Sequence, residues 1–332
     1  MTDNKNGILI VSLDFELLWG VQDHETRESF HEQIQGARKS IYEVLSLFDK
    51  YNIHATWGTV GMLMAENKDE IYSFSPQLKP DYENKSLSAY SHIDGIGNNE
   101  KEDEYHYAYS LISEIIRHKN QEIGSHTFSH YYCKEKGQTL ETFGADLNAA
   151  KAIAEKKFNI DVKSLIIPRN QFQSAYAEKA YEAGFLSVRG NPKGFAYNSQ
   201  SLCARAVRLI DTYFNFFGKK SYRLQECAAD GIINLKASVF FRKYNTKLEF
   251  LEPYKVACIK RQMKKAARKG EIFHLWWHPH NIGRNLDKCI EQLNEIFAYY
   301  EKLNCQYGFQ SKNMREVAEE VINENCNAMQ CR

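Results

Sequence analysis

The chain has 332 residues, long enough for one large domain or two smaller ones. A hydrophobic fraction of 43% and a charged fraction of 26% suit a soluble globular protein. The formal net charge is +1, which gives no electrostatic case for nucleic acid or an anionic membrane as the main partner.

Strand-like and helix-like segments alternate from the start. Residues 7–13 form a short apolar run rich in β-branched side chains and read as a buried strand. Residues 33–51 carry helical periodicity through Ile34, Ala37, Ile41, Val44, Leu45 and Phe48. A second strand is expected at 54–60. Further helices are expected at 102–119, 140–158 and 174–183, each followed by a strand, at 122–124, 164–167 and 185–188. Gly184 is a fitting helix stop. A strand at 232–237, a helix at 253–269, a strand at 272–276 and a helix at 285–303 complete the pattern. Such alternation predicts an α/β fold whose parallel sheet is crossed over by helices. About seven repeats favour closure into a distorted (β/α) barrel over an open sheet. No Gly-x-Gly-x-x-Gly or P-loop pattern follows any strand, so a nucleotide-binding reading has no support.

One stretch, 64–100, breaks the rhythm with polar and aromatic residues and weak periodicity. A connection of that length is a lid, a binding loop or a disordered insert. Its tyrosines and Phe74 argue against plain disorder. The chain is expected to be a single domain over 1–325 with that insertion and a flexible tail at 326–332. The polar start at 1–6 has no signal-peptide pattern, and no apolar run approaches the ~20 residues of a membrane span. A cytoplasmic protein is expected. The eight cysteines are scattered without Cys-x-x-Cys spacing, as free thiols would be, including Cys326 and Cys331 in the tail. The basic run at 260–269 reads as a solvated helix face.

In a parallel α/β domain the chemistry gathers at the carboxyl ends of the strands. Reactive residue types fall there repeatedly: Asp14-Phe15-Glu16, His126-Thr-Phe-Ser-His130, Pro168-Arg169-Asn170-Gln171, and His278-Pro279-His280. Two histidines four residues apart face one ion if their segment turns helically. Two histidines plus one carboxylate leave a position open for water and substrate, as a hydrolytic metal needs. Asp14 and Glu16 are two residues apart, so a strand would place them on one face. One would bind the metal and the other would take a proton from water. Helix caps or surface carboxylates are the plainer reading of the pair. His278 would protonate a leaving amine, or be a packed histidine beneath Trp276 and Trp277. Arg169 would fix a carboxylate, or form a structural ion pair. His274 reads as core. His24, His31, His54, His92, His106 and His118 have no neighbours that make a case.

These residues in this order resemble the polysaccharide deacetylases, carbohydrate esterase family four. The most specific element is Glu122-Ile-Gly-Ser-His-Thr-Phe-Ser-His130, and Ala55-Thr56-Trp57 also resembles a family strand. The resemblance covers about residues 7–300. It implies a NodB-like distorted (β/α) barrel, a single divalent ion such as Zn²⁺, and hydrolysis of acyl groups on sugars. It implies that Asp14 is the catalytic base and that His126 and His130 are metal ligands. Phe15 stands where the family usually has a second aspartate, so the third ligand role passes to Glu16, as in an Asp-x-Asp/Glu branch. Arg169 would orient Asp14, and His278 would be the general acid. His280 has no assigned role. The third motif departs from the family, with Pro168 before Arg169 instead of after it. The expected substrate is an acylated sugar, nucleotide- or lipid-linked, in bacterial surface-polysaccharide synthesis. A cyclic imide or ureide hydrolase and a non-catalytic carbohydrate-binding relative are the competing expectations.

Overall fold

A computed structural model describes residues 6–192, 201–215, 218–229 and 231–330. Cys331 and the first five residues lie outside them.

The sheet begins with β1 (Ile8–Phe15), whose eight residues are all buried. A strand buried on both faces requires layers on both sides, and β1 accordingly reads as an almost continuous apolar run. Parallel pairing continues through β2 (Ala55–Thr59), β3 (Gln121–Ser125), β4 (Ser164–Ile166), β5 (Ser187–Arg189) and β7 (Ile232–Asn234) on one side of β1. On its other side lie β9 (Ile272–Trp277) and β8 (Val239–Phe240), also parallel. The two-residue β6 (Ala228–Ala229) is antiparallel on β7, and β10 (Gln310–Ser311) adds to the start of β1.

The chain between β7 and β8 joins the two ends of this sheet. Leu235 and Ala237 donate backbone N–H groups to Val188 and Gly190 beside β5, while Ser238 and Phe241 donate to His274 and Trp276 of β9. The eight parallel strands therefore curl into a distorted (β/α) barrel, as the alternation predicts.

Helix boundaries follow local chemistry. The helix His31–Tyr51 ends on Asn52 in the left-handed conformation (φ 49°). Thr139 and Thr142 form a reciprocal cap at the start of Leu140–Phe158. The expected helix at 102–119 shortens to Tyr109–Arg117. The reason lies in Asp103, whose carboxylate accepts from the backbone of Gly97 and Tyr105 and pairs with Arg27 and His106. Side-chain bonds of this kind compete with helical ones. Two helices not expected from periodicity are Leu202–Phe214 and Met314–Gln330, the second of which contains the start of the expected tail. Among the described residues, no helix is long and apolar enough to cross a membrane.

The 64–100 segment packs as a series of short turns and the helix Lys68–Phe74, capped by Asn67. Tyr82 is buried against Tyr131 and Tyr132, and its hydroxyl accepts from the Tyr132 N–H at 2.9 Å.

Candidate active site

The site is built at the carboxyl ends of β1, β3, β5 and β9. After β3 the chain makes a tight irregular turn, where a helical one was expected for the His126/His130 spacing. Thr127 and His130 both take positive φ, 64° and 55°. Such backbone persists only where neighbours over-determine it. Here the Ser125 hydroxyl accepts from Thr127 N–H, and the Thr127 hydroxyl accepts from Tyr131 N–H. The buried Asp146 carboxylate accepts from the N–H groups of Phe128 and Ser129 and from the Ser129 and Tyr90 hydroxyls. Tyr90 ties the inserted segment to this turn.

The turn aims both imidazoles at one oxygen. His126 Nε2 lies 3.1 Å from Glu16 Oε2, and His130 Nε2 lies 3.0 Å from the same atom. All three side chains are buried. Glu16 follows β1 directly, and the next residue, Leu17, turns the chain with φ 45°. Gly20 leaves room for the carboxylate: a Cβ there would lie 2.1 Å from Glu16 Cδ.

The donor set fits a divalent ion. The other ring nitrogen of His126, Nδ1, lies 2.8 Å from the Ile166 carbonyl and must donate to it. Nε2 is then left with a lone pair facing a carboxylate oxygen. Two acceptors at that distance repel unless a cation or proton lies between them. Burial holds His130 below its ordinary pKa, despite the opposing pull of Glu16. Burial alone would raise Glu16, but His278 and His130 outweigh it and hold the carboxyl well below its usual range. Ligand atoms around a tetrahedral ion with bonds of about 2.0–2.2 Å stand about 3.4 Å apart. The Glu16, His126 and His130 donor atoms lie within 4.8 Å of one another, so small side-chain movements suffice.

Asp14 stands beside this cluster. Its two oxygens receive Arg189 NH1 at 2.5 Å and NH2 at 2.6 Å. Burial alone would raise the Asp14 carboxyl, but the Arg189 guanidinium, helped by His278, holds it below its ordinary value. Arg189 also donates to Ser12 Oγ at 3.1 Å and to Asn170 Oδ1 at 3.3 Å, and it lies over the Trp276 ring at 4.2 Å. Ser12 in turn contacts the buried His274 at 2.8 Å. The core reading of His274 describes its position, with a polar tie added.

His278 Nε2 lies 3.5 Å from Asp14 Oδ2 and 3.7 Å from Glu16 Oε1. Its Nδ1 faces the Asn281 side-chain amide nitrogen at 3.0 Å. With that amide donating, Nδ1 is an acceptor and Nε2 carries the proton. His280 is packed on His278, with its Nδ1 3.8 Å from Glu16 Oε1. Burial and the neighbouring His278 push its pKa down to about 3.

Arg169 does not reach Asp14, which corrects the expected orienting role. The residue takes φ 53° at the end of β4, and its guanidinium binds Asp23 at 2.6 Å and lies 4.4 Å from the Tyr132 ring centre. Arg189, one strand further on, makes the contact with Asp14 instead. Arg189 ends a short strand whose only visible signal was a cation after Ser187-Val188. No local pattern distinguishes it from Arg169.

A model of the polysaccharide deacetylase family matches residues 35–188. The match includes His126, His130 and Arg169 and stops one residue before Arg189. A solved structure of a proposed polysaccharide deacetylase from Mycobacterium smegmatis is similar across 98% of this chain and 93% of its own, with 14% identity and a TM-score of 0.62. A CE4 family pseudoenzyme from Bacillus anthracis aligns over 95% of this chain and 66% of its own, at 13% identity and a TM-score of 0.44. The peptidoglycan deacetylase PdaC from Bacillus subtilis aligns over 100% and 98%, at 12% identity and a TM-score of 0.39. No curated protein matches the chain in sequence. Residues 35–188 thus match the polysaccharide deacetylase family model, within a chain that has the barrel fold of the solved Mycobacterium smegmatis structure.

Proposed function

We propose that the chain is a metal-dependent hydrolase that removes an acyl group, N-acetyl in the first instance, from a sugar. The observation that carries this reading is the convergence of Glu16, His126 and His130 on one point, with Asp14 and His278 3.5 Å apart beside it. Glu16, His126 and His130 would hold the ion, for which zinc suits two imidazoles and one carboxylate. Such an ion supplies polarisation of the acyl carbonyl and a more acidic water.

The remaining work falls to the chain's own side chains. Asp14 accepts the proton of the attacking water. Arg189 keeps that carboxylate ionised and fixes its direction through two parallel bonds. His278, once it also carries a proton on Nδ1, hands its Nε2 proton to the departing amine nitrogen and returns to the neutral ring. Asn281 stands 3.0 Å from Nδ1, and its amide oxygen, turned toward the ring, would accept the Nδ1 proton of that charged form. Arg169 is not assigned a catalytic part here. A nucleotide- or lipid-linked precursor of a surface polysaccharide is the narrower form of the reading.

The test is acetate release from N-acetylated amino sugars by zinc-loaded protein, before and after chelation. Acetate that appears with metal and vanishes on chelation is the expected result. Turnover that persists after full metal removal contradicts the proposal, and ring opening of a cyclic imide without acetate release replaces it.

A further inference from the structure

The proposed reaction uses His278 and leaves His280 idle. His280 is buried, at 5% exposure, and its Nδ1 is a buried atom with no hydrogen-bond partner. Such atoms are uncommon and costly in folded proteins, so this one calls for a reason. It stands 3.8 Å from Glu16 Oε1. The two oxygens of Glu16 face different histidines: Oε2 meets His126 and His130, while Oε1 meets His278 and His280. His278 is the proton donor of the proposed reaction, which leaves His280 to hold Oε1.

The ring is placed firmly for that task. His280 lies on the short helix Pro279–Gly283, which opens on a proline. This helix seats on the helix His31–Tyr51 so closely that a Cβ on Gly36 would lie 2.1 Å from the Gly283 carbonyl oxygen. The imidazole packs edge-on against Phe30, with ring centres 5.2 Å apart, and against His278 at 5.0 Å. A neutral imidazole carries its proton on one nitrogen only. A bare Nδ1 would set a lone pair against an ionised carboxylate, so the favourable tautomer has the proton on Nδ1.

We infer that His280 is a positioning residue of the metal site, whose Nδ1–H donates to Oε1 of Glu16 and so keeps Oε2 turned toward the ion between His126 and His130. The inference rests on the proposed metal site and adds a residue to it. The 3.8 Å separation exceeds the ~3.2 Å limit of an N–H···O bond by little, within the small side-chain movements that an ion at this cluster already requires. A ligating carboxylate whose other oxygen is held gains a fixed direction, and loss of such a partner costs about 10- to 100-fold in metal affinity.

The alternative is that His280 merely fills space beside Phe30, and three substitutions separate the two roles. Asparagine places an amide nitrogen where Nδ1 stands, glutamine places one where Nε2 stands, and phenylalanine fills the ring's space with no donor. The experiment titrates zinc against a competing chelator in the wild type, His280→Asn, His280→Gln and His280→Phe, and measures the urea midpoint of each metal-free protein. His280→Asn should keep wild-type zinc affinity even where its midpoint falls. His280→Gln and His280→Phe should each lose about 10- to 100-fold, the phenylalanine variant without a matching fall in midpoint. Wild-type affinity in His280→Phe, or equal affinities in His280→Asn and His280→Gln, overturns the inference. If His280→Phe does not fold, the contrast between asparagine and glutamine decides alone. A wild type that binds no zinc overturns the metal site together with this inference, whereas a zinc-binding wild type with an unchanged series overturns the inference only.

Discussion

Arg189 grips both oxygens of Asp14 from the far side of the barrel, reaching across from β5 to the end of β1. Both residues are buried, the arginine at 2% and the aspartate at 2% exposure, so neither charge has water to fall back on. A buried pair of this kind adds little net stability but is costly to break. Its value lies in direction: it fixes where a carboxylate beside the Glu16 cluster points.

Replacing Arg189 by Lys keeps the charge but loses the fork that holds two oxygens. Turnover should fall about 100-fold, the scale of a misplaced general base, while KM changes little. Steady-state kinetics with an N-acetylated amino sugar check this. Arg169→Lys, whose partner is Asp23, should leave the Asp14 geometry intact and act chiefly on KM.

Gly20 offers a more selective probe. A methyl group there would meet the Glu16 carboxylate and force it to another rotamer. Gly20→Ala should lower metal affinity about 10- to 100-fold, the scale seen when a ligand's support is disturbed. Zinc titration against a competing chelator measures this, with circular dichroism to verify the fold.

Asp146 holds the turn that carries both histidines. Asp146→Ala leaves two backbone N–H groups and two hydroxyls without their acceptor. The expected loss of stability is about 3–5 kcal/mol, read as a lower urea midpoint at unchanged slope. Tyr90→Phe removes one of those contacts and should cost about 1 kcal/mol.

His274 makes stability depend on pH. Burial, with Arg189 nearby, pushes its pKa down to about 3. The unfolded chain takes up a proton near its ordinary value of about 6.5, while the folded chain does not. The unfolded state therefore binds more protons in that interval, and stability falls as pH falls. Between about pH 8 and pH 5 this residue should account for a loss of about 2 kcal/mol. His274→Asn should show a correspondingly flatter profile in urea unfolding.

Much of the fold was legible because β1 and β9 are long apolar runs and the helices between them carry strong periodicity. The short strand β8 was not legible: two residues have no pattern to read. The histidine turn was visible as a spacing, yet its geometry was not, because it depends on Asp146, eighteen residues downstream of Phe128 along the chain. Arg169 and Arg189 show the same limit. Arg169 follows one short strand and Arg189 ends another, and only the curl of the sheet decides which guanidinium reaches Asp14.

The central claim is that Glu16, His126 and His130 form one metal site, and the most direct measurement is the metal content of purified protein by elemental analysis. One equivalent of a divalent metal in the wild type, lost in Glu16→Gln, His126→Ala and His130→Ala but retained in His278→Ala, is the predicted result. Full metal content in folded His126→Ala, or a wild type that binds none when zinc is supplied, would contradict the account.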